Sequence, residues 1–369
     1  MRIAIVGAGP AGSYCASLLA RQGADVTLFD RQATAWEKPC GGGVPPKVRE
    51  RFAEVLAYDG PRRAVDVGVF TSPSGLPVRL QSGRPMWIIE RKLFDGYLRE
   101  LAKQTGAKFI HQRIRRVEQA GREVVLHGAH EYRFDFVIGA DGCFSVVRRD
   151  LLGPIPKHLV SMTVGYFIEA QQTEAVTWFL PKPGYVWAYP RPDHICLGGG
   201  SSDPTLDMWA EVERIRVAHY PTAVVRQKWA APIPFIRDPS FFRRPTTGAN
   251  FAVIGDAAGH VDALTGEGIL YALWGGALLA QALPAGDHRH YEVAWHDAYG
   301  RELEKTSDLS ARFYDPRTME RVFGVAARSA TLRRYLMDIM TDQPSYLETG
   351  RMFMRRLPMI GLDLLRSLW

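Results

Sequence analysis

The apolar positions of the first thirty residues change rhythm twice. Residues 2–6 (Arg-Ile-Ala-Ile-Val) make an apolar run suited to a buried strand. Residues 7–12 are a tight glycine-bearing turn, and 13–22 space their apolar side chains as a helix does. Gly23 is placed to stop that helix, and 24–30 form a second strand, so the chain opens as a βαβ unit. Residues 65–80 turn strand-like, with Pro73 and Gly75 marking a hairpin turn. Residues 91–105 predict a helix whose apolar side carries Leu93, Phe94, Tyr97, Leu98 and Leu101. Residues 134–140 read as one continuous apolar strand ending at Asp141-Gly142.

From 160 to 242 the pattern differs. Short alternating runs at 163–169, 176–180, 185–190 and 194–197 are separated by Pro and Gly turns, which predicts an antiparallel sheet. A buried-strand run returns at 250–255 and leads into a helix at 268–283. Residues 288–369 are mostly helical by pattern, with Pro316, Pro344 and Pro358 as breaks. The expected architecture is α/β. A discontinuous Rossmann-like domain occupies 1–60, 85–155 and 245–285, an inserted antiparallel substrate domain 61–84 and 156–244, and a helical C-terminal region 286–369.

At 369 residues the chain is too long for one small core, and 46% hydrophobic against 23% charged residues is ordinary globular composition. The four cysteines, Cys15, Cys40, Cys143 and Cys196, form no CxxC pair, so neither a structural zinc nor a stapled secreted fold is expected, and no metal site is assigned. The +7 formal charge is spread as short pairs such as Arg115-Arg116, Arg148-Arg149 and Arg243-Arg244. With no polybasic block or recognised motif, a nucleic-acid partner is not expected. The apolar start breaks at Gly7 and does not read as a signal peptide. The stretch 268–283 falls short of the roughly 20 residues a membrane span needs. A cytoplasmic protein is expected, with peripheral membrane contact as the open alternative. The tail at 351–357 and 364–369 mixes arginines with large apolar residues. It either docks on its own protein or lies on an anionic membrane, and Pro358 with Gly361 interrupts a long amphipathic face.

Three separated motifs carry chemistry. Gly7-Ala8-Gly9-Pro10-Ala11-Gly12 is a GxGxxG fingerprint after a strand and before a helix. Gly7 permits the turn, Gly9 admits a pyrophosphate, and Gly12 lets helix approach strand. Asp30, at the end of the second strand, is placed to accept from a ribose hydroxyl, and Arg31 beside it is grouped with the cofactor residues. Asp141-Gly142 and, far later, Gly255-Asp256-Ala257-Ala258-Gly259 resemble the DG and GD motifs of FAD-dependent oxidoreductases of the aromatic-hydroxylase fold class. That resemblance implies that Asp256 holds the flavin ribityl chain, with Gly266 and Gly268 at a helix start aimed at the flavin ring. Arg91 matches the family arginine that reaches the cofactor, with a solvated helix-start arginine as the alternative. Arg148 is open in the same way.

Two further segments narrow the family. Lys38-Pro39-Cys40-Gly41-Gly42-Gly43 and Gly184-Tyr185-Val186-Trp187-Ala188-Tyr189-Pro190 resemble the CGGG-type loop and YxWxFP motif of the geranylgeranyl reductase family. Such enzymes hydrogenate isolated double bonds of isoprenoids by hydride from flavin N5 plus a proton. The resemblance spans about 1–283. Two positions depart from it: Tyr189 replaces a Phe, and Ala263 replaces a Pro, which predicts a less rigid flavin-side loop. It implies Cys40, with Gly41 and Gly42, near the flavin, the thiol donating a proton or holding the loop; a buried packing cysteine is the alternative. Tyr185, Trp187 and Tyr189 alternate along a strand and share a face, either an apolar substrate tunnel or sheet core. His260 and Glu267 lie in the flavin-side loop, with no role singled out. The implied partners are an apolar isoprenoid, quinone tail or polycyclic metabolite, and NAD(P)H or a separate electron-carrier protein. The rival reading is a flavin-dependent monooxygenase, hydroxylase or halogenase acting on an aromatic or polycyclic metabolite.

Overall fold

The computed structural model describes residues 1–285, 288–341 and 346–367. Pro344 and the last two residues of the tail, Leu368 and Trp369, lie outside the described residues. The chain forms two compact units, each assembled from three stretches of sequence.

The first unit comprises Met1–Glu37, Arg91–Val160 and Ile233–Asp308. Its centre is a five-stranded parallel sheet in the order Phe251–Val253, Phe136–Gly139, Arg2–Val6, Asp25–Asp30, Lys108–His111. The inner positions of its central strands are apolar and buried because helices cover the sheet, among them Pro10–Arg21, Arg91–Gln104 and Ile269–Ala282. Gly23 adopts φ 82° and its N–H bonds to the Ala20 carbonyl, ending the first helix as its position predicted.

The run expected as one strand at 134–140 is two. Phe134 ends Glu131–Phe134 in a three-stranded antiparallel sheet with Arg116–Ala120 and Glu123–His127, and Phe136 begins the parallel strand. The break falls at Asp135, whose N–H reaches the Arg2 carbonyl while its carboxylate accepts the Arg2 N–H at 2.7 Å. Apolarity alone carries no sign of a change of sheet.

The second unit comprises Lys38–Glu90, Ser161–Pro232 and Leu309–Trp369. An eight-stranded sheet runs in the order Val224–Pro234, Val160–Glu169, Ile195–Ser201, Gly184–Pro190, Ala175–Phe179, Arg62–Thr71, Pro77–Ile89, Gly43–Val44. The expected antiparallel character holds for four short runs in the middle of the chain. One pairing is parallel, Ala175–Phe179 against Arg62–Thr71. The sequence reading also missed the helix Met208–His219, capped by Asp207, and the strand Val224–Pro234.

Pro358 does not break the last helix, which runs continuously over Tyr346–Arg366. Pro358 and Met354, whose carbonyl loses its helical donor, are both exposed, so that carbonyl lies on the solvent side of the helix. The helix packs Phe353, Ile360 and Leu364 against Val78, Leu80 and the helices Pro316–Ala326 and Ala330–Thr341.

Glycines set the closeness of strands in this unit. A Cβ on Gly165 would collide with the Leu197 carbonyl and the Trp229 ring, and one on Gly198 with the rings of Trp187 and Trp229. Gly165→Val is expected to lower the unfolding free energy by about 3 kcal/mol, read from urea titration. Wild-type stability in that variant would show that the indole can move aside.

Candidate functional site

Three motifs far apart in sequence converge in the first unit, at the carboxyl ends of its parallel strands, where open α/β sheets bind ligands. Gly7, at φ 104°, presses its backbone against Ala140 and Asp141, leaving no room for a side chain. Gly12 lies under the Gly7 carbonyl, while a Cβ on Gly9 would meet nothing within 4 Å. The helix Pro10–Arg21 starts at Gly9 with no side-chain cap, although its first turn is buried. Buried N–H groups at an uncapped helix start are a ready seat for phosphate.

Ala11 of that helix touches Gly255, which adopts φ 59° and also packs against Ala272. The GD motif is thereby held between the starts of two helices. The second, Ile269–Ala282, begins at Gly268, again without a side-chain cap. A Cβ on Gly268 would stand 3.2 Å from the Asp256 carboxylate, so the acid lies beside this helix start. Gly266 takes φ 72° in the loop before it.

Asp30 accepts the N–H groups of Ala8 and Gln32, each at 2.7 Å, and Arg99 stands 3.7 Å away. A carboxylate has about four acceptor positions, so two remain for a diol. Arg31 is exposed, 6.0 Å from the Trp36 ring centre. Asp141 accepts from the Ser145 hydroxyl and the Val146 N–H; burial pushes its pKa up to about 6 against those bonds. Gly142 follows at φ 86°.

Neither Arg91 nor Arg148 is the solvated arginine of the alternative reading. Arg91 is buried and paired through two 2.8 Å bonds with Asp95, one helical turn on. Arg148 is 4% exposed, with its guanidinium 5.0 Å from the Phe241 ring centre. Burial, with Arg244 nearby, lowers its pKa to about 10, and its Nε has no partner among the described residues.

Two residues of the flavin-side loop proved more than bystanders. Asp262, unexposed, accepts the N–H groups of Leu264 and Thr265 at 2.6 and 3.1 Å, pinning the loop that Ala263 was expected to loosen. An Asp whose carboxylate can reach the N–H groups two and three residues on is a local turn signal that the sequence reading overlooked. His260 is buried 4.2 Å from the Trp295 ring, and its Nδ1 meets the Tyr299 hydroxyl at 3.0 Å. Burial, then Arg148, pushes its pKa down to about 3.

In the second unit the two remaining motifs meet each other. Cys40 is half-buried; its Sγ accepts the Gly42 N–H at 3.3 Å. The Cys40 carbonyl takes Arg191 at 2.9 Å and the Cys196 thiol at 3.3 Å, and Arg191, 1% exposed, lies over Phe167. Gly42, at φ 78°, fits against the Ile89 carbonyl. A Cβ on Gly41 would come 2.9 Å from Tyr189 and 3.4 Å from the Trp187 indole nitrogen. Tyr185, Trp187 and Tyr189 share one face as their alternation predicted, with ring centres 5.7 and 6.5 Å apart. Trp229 joins them 6.1 Å from Trp187. It belongs to the strand the sequence reading missed. The indole N–H groups of Trp187 and Trp229 are buried with no partner among the described residues.

Comparison with known proteins finds relatives of this chain. Residues 1–170 match the FAD binding domain family. The geranylgeranyl diphosphate reductase of Oryza sativa chloroplasts is 27% identical over 84% of this chain and 70% of its own length. The menaquinone reductase of Mycolicibacterium smegmatis is 27% identical over 92% of both chains. Among solved structures, a geranylgeranyl bacteriochlorophyll reductase-like protein of Thermoplasma acidophilum superposes with a TM-score of 0.79 at 20% identity, covering 96% of this chain and 98% of its own. A flavin-dependent brominase has a TM-score of 0.75 at 16% identity with the same coverage. These structures establish a shared fold, and the resemblance read from the sequence is borne out. The paired uncapped helix starts and the open position at Gly9 fit a flavin dinucleotide.

His260 generates a stability test. Its folded pKa lies below the ordinary 6.5, so its contribution is complete above about pH 6.5 and is lost as pH falls toward about 3. His260→Gln keeps an acceptor for Tyr299 and removes the titration. Urea midpoints should therefore fall less steeply for the variant than for wild type between about pH 6.5 and pH 4. Parallel curves would mean that His260 is protonated without cost.

Proposed function

From a chain that is an FAD-dependent oxidoreductase related to the geranylgeranyl reductases, we propose a reductase that hydrogenates carbon–carbon double bonds of an isoprenoid or similar apolar substrate. The observation that carries this reading is the Cys40–Gly43 loop seated on the Tyr189 and Trp187 rings. Those two segments are the ones that resemble the reductases' CGGG-type loop and aromatic strand motif.

Gly7, Gly9, Ala11 and Gly12 present the first helix start to the pyrophosphate, and Asp30 takes the ribose hydroxyls, with Arg31 and Arg91 completing that side. Asp141, Gly142, Gly255 and Asp256 hold the ribityl chain, and Gly266 and Gly268 expose the second helix start to the flavin carbonyl edge. Positive potential at that start stabilises negative charge on the cofactor. Bound and reduced, FAD supplies the hydride, its electrons renewed by NAD(P)H or a separate carrier.

An isolated alkene has no neighbouring carbonyl to accept the charge left by hydride, so a proton must reach the other alkene carbon. Tyr185, Trp187, Tyr189 and Trp229 offer ring faces that exclude water from an apolar chain and favour positive charge at its more substituted carbon. Cys40 carries the proton or sets the loop that delivers it.

Two measurements decide this. Dithionite-reduced enzyme incubated without oxygen with polyprenyl compounds should yield products heavier by two hydrogens per double bond, and Cys40→Ala should keep flavin while turnover falls about 100-fold. Products that gain oxygen or halogen under air, with no anaerobic hydrogenation, would overturn the reductase reading. Wild-type rates in Cys40→Ala would return that thiol to packing. Asp256→Ala should weaken FAD retention by about tenfold or more, measured by flavin absorbance after gel filtration, because a charged hydrogen-bond acceptor is lost. Unchanged retention would remove Asp256 from the ribityl site.

A further inference from the structure

The last helix, Tyr346–Arg366, has two apolar faces. One packs Phe353, Ile360 and Leu364 into the core beneath it. A helix that only docks on its own protein needs no second one. Yet Leu347, Met354 and Leu365 are 53%, 64% and 60% exposed, and Pro358 stands exposed in line with them. Their separations of seven, four and seven residues place all four on one outward stripe. Leu357 and Leu362 are exposed at its margins. The stripe is continuous only because Pro358 leaves the helix unbroken.

Charge names the occupant. Arg351 and Arg355 follow one edge of the stripe, exposed and without an ion pair among the described residues, and Arg366 is exposed farther along. Asp363 is turned inward to Ser329 and Thr331, which leaves Glu348 as the exposed acid of the helix. Residues 309–369 hold ten arginines and no lysine against six acidic residues. A second copy of this chain would bring the same cationic edge to the contact with little acid to meet it. No helix among the described residues is long and apolar enough to cross a membrane. We propose that this stripe lies in the surface of an anionic bilayer, with Arg351 and Arg355 at the headgroups and Leu347, Met354 and Leu365 among the upper acyl segments. The inference stands apart from the reaction catalysed and from the residues that hold the cofactor.

The test uses the full-length, flavin-loaded protein and extruded vesicles. Wild type should sediment with vesicles of phosphatidylcholine containing phosphatidylglycerol, bind pure phosphatidylcholine about tenfold less, and be released by salt. Met354→Asp with Leu365→Asp should lower partition onto the anionic vesicles about tenfold or more, because charge then enters the apolar stripe. Both side chains are exposed, so the far-ultraviolet spectrum and flavin content should stay at wild type, and a variant that loses either is replaced by Arg351→Gln with Arg355→Gln. That pair should abolish the preference for anionic vesicles. Wild type that stays in the supernatant, or variants that sediment equally well, would overturn the proposal. So would a vesicle-free dimer of wild type that Met354→Asp with Leu365→Asp converts to monomer, since the stripe would then be an interface between copies.

Discussion

The nucleotide-type unit depends on backbone meeting backbone where side chains would ordinarily stand. Gly7 rests on Ala140 and Asp141, Gly12 beneath the Gly7 carbonyl, and Gly276 on the Ala11 carbonyl, while Gly255 leaves room for the Ala11 methyl. These contacts draw two helix starts together at the ends of the parallel strands. Each glycine raises the entropy lost on folding by roughly 0.5–1 kcal/mol, and each uncapped helix start forgoes about 1 kcal/mol that a capping side chain would contribute. The polypeptide by itself therefore carries a local deficit at this convergence. An anion bound there would offset it, because any ligand that selects the folded state stabilises that state. The geometry that makes the site is the geometry that makes it costly to leave empty.

Glycine serves a different end in the second unit. Gly165 and Gly198 clear the sheet surface so that the indoles of Trp187 and Trp229 lie across it. The loop bearing Cys40 is then fastened from below by Arg191 and Cys196, both bonded to the Cys40 carbonyl. Arg191 is in turn held over Phe167. A thiol on a glycine-rich loop would otherwise sample many positions, and here its backbone has one. The half-exposed side chain remains on a rigid base, which is the condition a proton-delivering group needs to act at a fixed distance.

What could be read from the sequence follows from the range over which each constraint acts. Gly7, Gly12 and Gly23 are local requirements of a turn, a close approach and a helix end, so their positions were legible from a few neighbours. Tyr185, Trp187 and Tyr189 share a face because strands alternate, which needs only the strand itself. The break at Asp135 was not legible, because it depends on pairing with Arg2, more than a hundred residues away. Trp229 was missed with its strand, whose exposed positions 224–228 dilute the apolar signal. Pro358 misled for the opposite reason. A proline costs a helix little where the carbonyl it strands faces water, and exposure cannot be read from one residue. Asp262 was within reach, since its acceptor role is satisfied two and three residues on.

The buried charges of the first unit complete the logic of the proposed cofactor site. Arg91 is neutralised by Asp95 within the same helix, so that pair adds rigidity and little net field. Arg148 has no ion pair with an acid among the described residues: near it stand the Phe241 ring, the Ala257 carbonyl at 3.5 Å, Arg244, and a histidine held neutral. Were His260 protonated, two cations would share one apolar region, and desolvation would oppose both. Among the described residues the Arg148 guanidinium thus stands beside the GD motif without an ion pair. A chain that kept a guanidinium there only for packing would gain by replacing it with an apolar side chain of similar volume. An anionic cofactor at the same strand ends would supply the counterion that this arginine lacks.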